Sequence, residues 1–185
     1  MLSCKRWYTV LFAALVLSVS IVNSGVFADE FYVSRVIDGD TVVLENGEHV
    51  RYIGIDTPEK GRPYYSEAKR QNEKLVRGRK VRLEYDAGKV DRYGRALAYV
   101  YAGDKFVNEE LVRNGYALAY TVPPNVKFAK RFVSLQEEAM AQRMGLWGLK
   151  PSDIDIIKAG RNYKPPEENK TIWDYILHKL RQLFR

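Results

Sequence analysis

Residues 31–55 read FYVSRVIDGDTVVLENGEHVRYIGI, and this stretch decides the fold. β-branched and aromatic residues dominate Phe31–Ile37 and Thr41–Leu44, the composition of strands. Asp38-Gly39-Asp40 between them is a turn. Asn46-Gly47 is a hairpin turn, because both residues tolerate positive φ. A third strand over His49–Ile55 would put Val50, Tyr52 and Gly54 on one face and Arg51, Ile53 and Ile55 on the other, since side chains alternate. Arg51 then shares a face with two apolar residues, which predicts a partner for it in a barrel mouth.

Downstream, Thr57-Pro58 closes the third strand, and Ser66–Val76 has helical composition with Ala68, Leu75 and Val76 inward, ended by Gly78. Lys80–Tyr85 alternates as a strand, Asp86–Gly94 is a loop, and Arg95–Tyr101 is the next strand. Val107–Arg113 reads as a short helix capped by Asn108. A short extended piece, Tyr116–Tyr120, ends at Pro123-Pro124. Lys127–Arg143 is an amphipathic helix with Phe128, Phe132, Leu135 and Ala139 in one stripe, capped by Gly145, and Trp147 packs back on it. Three strands in a meander, a helix, two strands and two helices predict an α+β, mainly β domain. The expected core is a five-stranded Greek-key barrel of the OB type with about three packed helices.

The ends differ from this domain. Lys5 and Arg6 precede an uncharged, apolar run, and Val26-Phe27-Ala28 suits a signal peptidase. Residues 1–28 are therefore expected to be a secretory signal cleaved after Ala28, with an uncleaved membrane anchor as the alternative. The OB-type domain is expected over 29–149, a linker over 150–170, and an amphipathic basic helix over 171–185. That helix has three candidate uses: docking on the barrel, contact with an anionic cell surface, or a further contact to nucleic acid. The chain is expected to be monomeric.

Composition narrows the chemistry. Cys4 is the sole cysteine, and His49 and His178 are the only histidines. Zinc sites of the usual Cys/His kind lack ligands, so catalysis must rest on carboxylates, arginines and tyrosines. The full chain carries +7, and Lys60–Arg95 alone holds twelve Lys or Arg against five Asp or Glu. Such a stretch suits a polyanion, although a solvated helix face would read the same way.

Three segments carry candidate chemistry: Ile37–Thr41 (IDGDT), Arg51–Glu59 (RYIGIDTPE) and Asp91–Arg95 (DRYGR). Asp40 and Asp56 stand at strand ends beside one hairpin, where two carboxylates would make a hard-oxygen cation site; plain turn chemistry is the alternative. Glu59 near such a site is a candidate general base. Arg51 and Arg95 are candidate phosphate clamps.

These three motifs, in this order, resemble the staphylococcal nuclease family. Leu97–Tyr101 (LAYVY) and Val107–Gly115 (VNEELVRNG) extend the likeness over about residues 31–148. The resemblance implies an OB-fold nuclease that hydrolyses phosphodiester bonds of DNA and RNA with Ca²⁺ and leaves 3′-phosphate ends. It implies Asp40, Asp56 and the Thr57 carbonyl as calcium ligands, Glu59 as the group that activates or positions water, and Arg51 and Arg95 as phosphate-binding catalytic residues. Arg92, Tyr93 and Tyr120 would line the nucleotide pocket. The loop from Glu59 to Glu67 is shorter than in the best-known member. Val122 stands where that member has a second pocket tyrosine, and one residue is missing just before Tyr120. Two other classes remain: a non-catalytic nucleic-acid-binding OB module, and a cell-surface interaction protein with a vestigial site.

Overall fold

A computed structural model describes residues 30–159. The expected signal segment 1–28 and the expected helix 171–185 lie outside the described residues. Eight strands form: β1 (Glu30–Val36), β2 (Thr41–Leu44), β3 (His49–Tyr52), β4 (Ile55–Asp56), β5 (Lys80–Glu84), β6 (Ala96–Ala102), β7 (Lys105–Phe106) and β8 (Leu118–Ala119). Four helices accompany them: α1 (Tyr65–Val76), α2 (Val107–Arg113), α3 (Ala129–Ala141) and α4 (Pro151–Ala159).

Five strands close a barrel. The order β3-β2-β1-β5-β6 is completed by β6 pairing back to β3, in parallel, with Arg51 opposite Leu97. The other barrel pairs are antiparallel. This is the five-stranded OB-type barrel with helices that the sequence predicts. Alternation explains its core: Val42, Val50, Val81 and Ala98 are fully buried inward residues of four different strands.

The third strand is shorter than expected. It breaks at Gly54, whose φ of +77° only glycine adopts without strain. A Cβ there would stand 2.5 Å from Phe132 Cε2, so the glycine also lets α3 approach. Ile55 and Asp56 restart as β4 and pair with β8 instead of continuing the barrel. The predicted two-face alternation holds over His49–Tyr52 and fails beyond it, where Ile53 and Ile55 are buried next to Tyr52.

Asn108 is not a cap. The residue before α2 is Phe106, with no side-chain cap, and Asn108 is fully buried. Its Oδ1 accepts the Val100 N–H at 3.0 Å, and its Nδ2 donates to the Ile53 carbonyl at 2.8 Å. It satisfies the backbone left open where β3 ends, as a buried polar group must. On α3, Phe132 and Leu135 face the barrel core, while Ala139 and Met140 pack with Trp147. Tyr99 meets Phe128 edge-on at 4.7 Å between ring centroids, a favourable geometry for the ring quadrupoles.

The expected linker at 150–170 begins instead with α4. Pro151 suits a first helical turn, and Ile154 and Ile157, one turn apart, are buried beside Trp147. Their burial supplies the apolar contact that turns the segment into packed structure.

Candidate active site

The turn Asp38-Gly39-Asp40 is pressed against Thr57. A Cβ on Gly39 would stand 2.7 Å from Thr57 side-chain atoms, so only glycine permits the approach. The contact lets Asp40 Oδ2 accept the Thr57 N–H at 2.7 Å and the Thr57 Oγ1–H at 2.9 Å. Asp40 Oδ1 accepts from Thr41 Oγ1 at 3.2 Å and faces Arg51 Nε at 3.2 Å.

Arg51 finds the partners its position predicted. Its NH2 group donates to Asp56 Oδ1 at 2.8 Å, and its NH1 donates to the carbonyls of Tyr52 and Ile55 at 2.6 and 3.0 Å. One guanidinium thus spans the Asp40 and Asp56 carboxylates and stitches the broken end of β3 to β4. Asp40, Asp56 and Thr57 are buried. Asp38 lies beside them, and burial followed by the charge of Asp40 pushes its carboxyl up to about 6. Arg51 thus faces two buried carboxylates, with a third carboxyl beside them.

Asn72 braces this cluster from α1. Its Nδ2 donates to the Asp38 carbonyl at 3.0 Å, and its Oδ1 accepts from the Tyr52 hydroxyl at 3.0 Å. An amide on the inner face of α1, four residues after Ala68, was the sequence signal for it.

A cleft of about 730 Å³ opens above the cluster. Asp38, Asp40, Arg51 and Glu59 line it together with Asp91, Arg92, Tyr93, Arg95 and Tyr120. Asp56 and Thr57 do not line it; they bond to Arg51 and Asp40, which do. The remaining sequence-predicted site residues thus meet in one space. Tyr93 is 68% exposed, with the Arg92 guanidinium 4.8 Å and the Arg95 guanidinium 5.5 Å from its ring centre. Tyr120 is half-buried, and its N–H donates to the Gly54 carbonyl at 2.8 Å.

Besides Asn72, two further residues of the site carry no role in the sequence reading. Asp91 organises its own motif, accepting from Arg95 Nε at 2.7 Å, Arg95 N at 3.0 Å and Tyr93 N at 2.9 Å. Its position inside the motif was the signal. Asn125 joins two loops that line the cleft: the Gly88 N–H donates to its Oδ1 at 2.7 Å, and its Nδ2 donates to the Gly88 carbonyl at 2.8 Å. Nothing local in the sequence marks that pair.

Among the described residues, no three His, Cys, Asp or Glu side chains group as a metal site. The converging pair is Asp40 and Asp56. Its chemistry fits a hard cation completed by backbone and water oxygens, because two buried carboxylates converge there on one guanidinium.

A closed OB barrel with carboxylates and arginines around one open cleft defines a protein built to handle a phosphorylated polyanion. The family model for staphylococcal nuclease homologues matches residues 49–148, and the chain belongs to that family. It is 38% identical to a thermonuclease of Staphylococcus intermedius over 134 residues, 68% of this chain and 80% of the relative. It is 39% identical to a thermonuclease of Staphylococcus hyicus, over 63% of this chain and 75% of the relative. The endonuclease YncB of Bacillus subtilis (strain 168) is 41% identical over 61% of this chain and 59% of that protein.

Proposed function

We propose that this chain is a secreted, calcium-dependent nuclease that hydrolyses phosphodiester bonds of DNA and RNA and leaves 3′-phosphate ends. One observation carries the reading: Arg51 and Arg95 line the same cleft as Asp40 and Glu59. The names of the relatives, thermonuclease and endonuclease, support the reaction class.

Asp40, Asp56 and the Thr57 carbonyl would hold Ca²⁺, which supplies Lewis acidity and charge neutralisation at phosphate oxygens. Asp91 occupies Arg95 Nε, so the terminal nitrogens of Arg95 are directed to the phosphate as a fork. Arg51 adds positive charge. Both arginines meet the charge that grows on the phosphoryl oxygens as water adds, and so lower the barrier. Glu59 takes the proton of the attacking water. A phosphorus–oxygen bond forms to water, the bond to the 5′ oxygen breaks, and that oxygen leaves with a proton from solvent. The exposed Tyr93 ring and Tyr120 offer surfaces for a base, worth about 1–3 kcal/mol each, and Arg92 adds charge near the phosphate end.

Residues 1–28 direct export, and residues 171–185 serve as a docking helix, with contact to an anionic surface or to nucleic acid as the alternatives. Deleting 160–185 leaves cleavage intact, because every residue assigned to catalysis precedes Gly103. The deciding experiment incubates purified residues 29–185 with single- and double-stranded DNA and RNA, with calcium or chelator. Cleavage in calcium alone is expected. Full activity in chelator would remove the metal from the reading, and no cleavage under any condition would overturn it.

A further inference from the structure

The cations of this chain are not neutralised evenly. Near α2 and α3, Arg113 and Arg131 both reach Glu109, and Lys127 reaches Glu84. Around α1 the balance is different. Residues 60–80 hold eight Lys or Arg against Glu67 and Glu73. Arg70 pairs with Glu67 at 3.3 Å and Lys80 with Glu30 at 3.8 Å. Lys60, Arg62, Lys69, Lys74, Arg77 and Arg79 form no ion pair among the described residues.

The helix arranges these charges. α1 buries Ala68, Asn72, Leu75 and Val76. At about 100° per residue, the opposite direction belongs to Arg70, Lys74 and Arg77, all exposed. This outermost ridge is wholly cationic over about 10 Å of helix, at about 1.5 Å per residue. A nucleic-acid strand offers one phosphate per about 3.4 Å of axis, so the ridge spans about three of them. Arg79, also exposed, follows two residues after Arg77 in the turn that the bond from the Val33 N–H to its carbonyl, 3.1 Å, fixes to β1. The inner face of the same helix reaches the cleft: Asn72 holds the Asp38 carbonyl, and Asp38 lines the cleft. About one helix thickness, about 10 Å, separates ridge from cleft.

We propose that Arg70, Lys74 and Arg77, with Arg79, form a second phosphate-binding track. It holds the flanking part of a nucleic acid whose cleaved bond lies in the cleft, and so rests on the nuclease reading. Contacts of this kind are to the backbone and ignore sequence. The track makes long substrates bind more tightly than short ones, with a steeper salt dependence.

The test compares the mature wild-type chain with the triple variant Arg70→Gln, Lys74→Gln, Arg77→Gln. Turnover is measured on a trinucleotide and on a 30-nucleotide single strand, and binding of the 30-mer is measured without divalent cations across a salt series. The variant should keep wild-type kcat/KM on the trinucleotide. Its affinity for the 30-mer should fall at least about tenfold, and its salt slope by about two, since each lost phosphate contact removes about 0.7. Lysine at positions 70 and 77, with Lys74 retained, should restore the slope. Equal effects on both substrates, an unchanged slope, or failure of the lysine variant to restore it overturns the track. So does a variant that binds the 30-mer normally but loses binding to phosphatidylserine vesicles, which would assign the ridge to a membrane surface. If the wild type cleaves neither substrate, the nuclease reading fails while the salt series still decides the track.

Discussion

The Asp91 carboxylate holds Arg95 twice, through the side-chain Nε–H at 2.7 Å and the backbone N–H at 3.0 Å. One side chain therefore sets both the loop and the direction of the guanidinium. Asp91→Ala should cost about 10²-fold in kcat on DNA, the scale of a displaced catalytic group. KM should change less. Asp91→Asn keeps an acceptor and should recover part of the loss. Steady-state kinetics on the folded variants decides this, and a normal kcat in Asp91→Ala would leave Arg95 positioned by other means.

Arg95→Ala and Glu59→Gln should abolish most turnover while leaving the fold intact, because both side chains stand at the rim of the cleft and not in the core. Loss of Arg95 should raise the barrier by at least about 3 kcal/mol, and loss of Glu59 should slow turnover by about 10²–10⁴-fold. Thermal melting should move by little in either variant.

Arg51 predicts the opposite pattern. Its removal leaves Asp40 and Asp56 buried without their guanidinium, a change that typically costs about 3–5 kcal/mol. Arg51→Ala should melt well below wild type. Calcium should raise the wild-type melting temperature, by the equivalent of about 2.7 kcal/mol at a hundredfold excess over Kd. Asp40→Asn should lose that rise, and a calcium shift that survives in Asp40→Asn would place the ion elsewhere.

Below the range in which Asp38 titrates, acid should act on Glu84, Asp86 and Asp91. Burial is the largest single influence and works to raise the carboxyls of Glu84, Asp86 and Asp91, but their hydrogen bonds and neighbouring cations together outweigh it and hold all three below their usual values. Glu84 receives Lys127 and Tyr101, Asp86 the backbone N–H groups of Lys127 and Ala87 and the Tyr99 hydroxyl, and Asp91 the Arg95 side chain. A carboxyl lowered by folding stabilises the fold above its unfolded value, here 4.5 for Glu and 3.8 for Asp, and loses that contribution as pH falls through the folded value. From these three groups stability should be level above about pH 5 and decline below about 4. Glu84→Gln should melt earlier at neutral pH and show a shallower acid decline.

The barrel and the charged motifs were legible because their signals are local. Alternating β-formers, Asn46-Gly47 and the three motifs each read within a few residues. The amides that complete the structure were not. Asn72, Asn108 and Asn125 bond to backbone 34, 55 and 37 residues away, and in sequence each resembles a cap, a turn or a surface residue. The break at Gly54 was hidden for a related reason: the run His49–Ile55 alternates well, and only the approach of Phe132 from α3 shows why the strand stops. Pro151 opens a stretch that is polar in sequence, and only the packing of Ile154 and Ile157 with Trp147 makes it a helix of the domain.

The parallel pairing of β3 with β6 sets Arg51 opposite Leu97, two residues from Arg95. The two arginines meet because two strands separated by more than forty residues join along one seam. In an unfolded or half-closed chain the same side chains stand apart, and neither could share a phosphate with the other. Closing a loop of that length carries an entropic cost, and the pairing along the seam offsets it, so the shared cleft exists only in a chain whose β3 and β6 have joined.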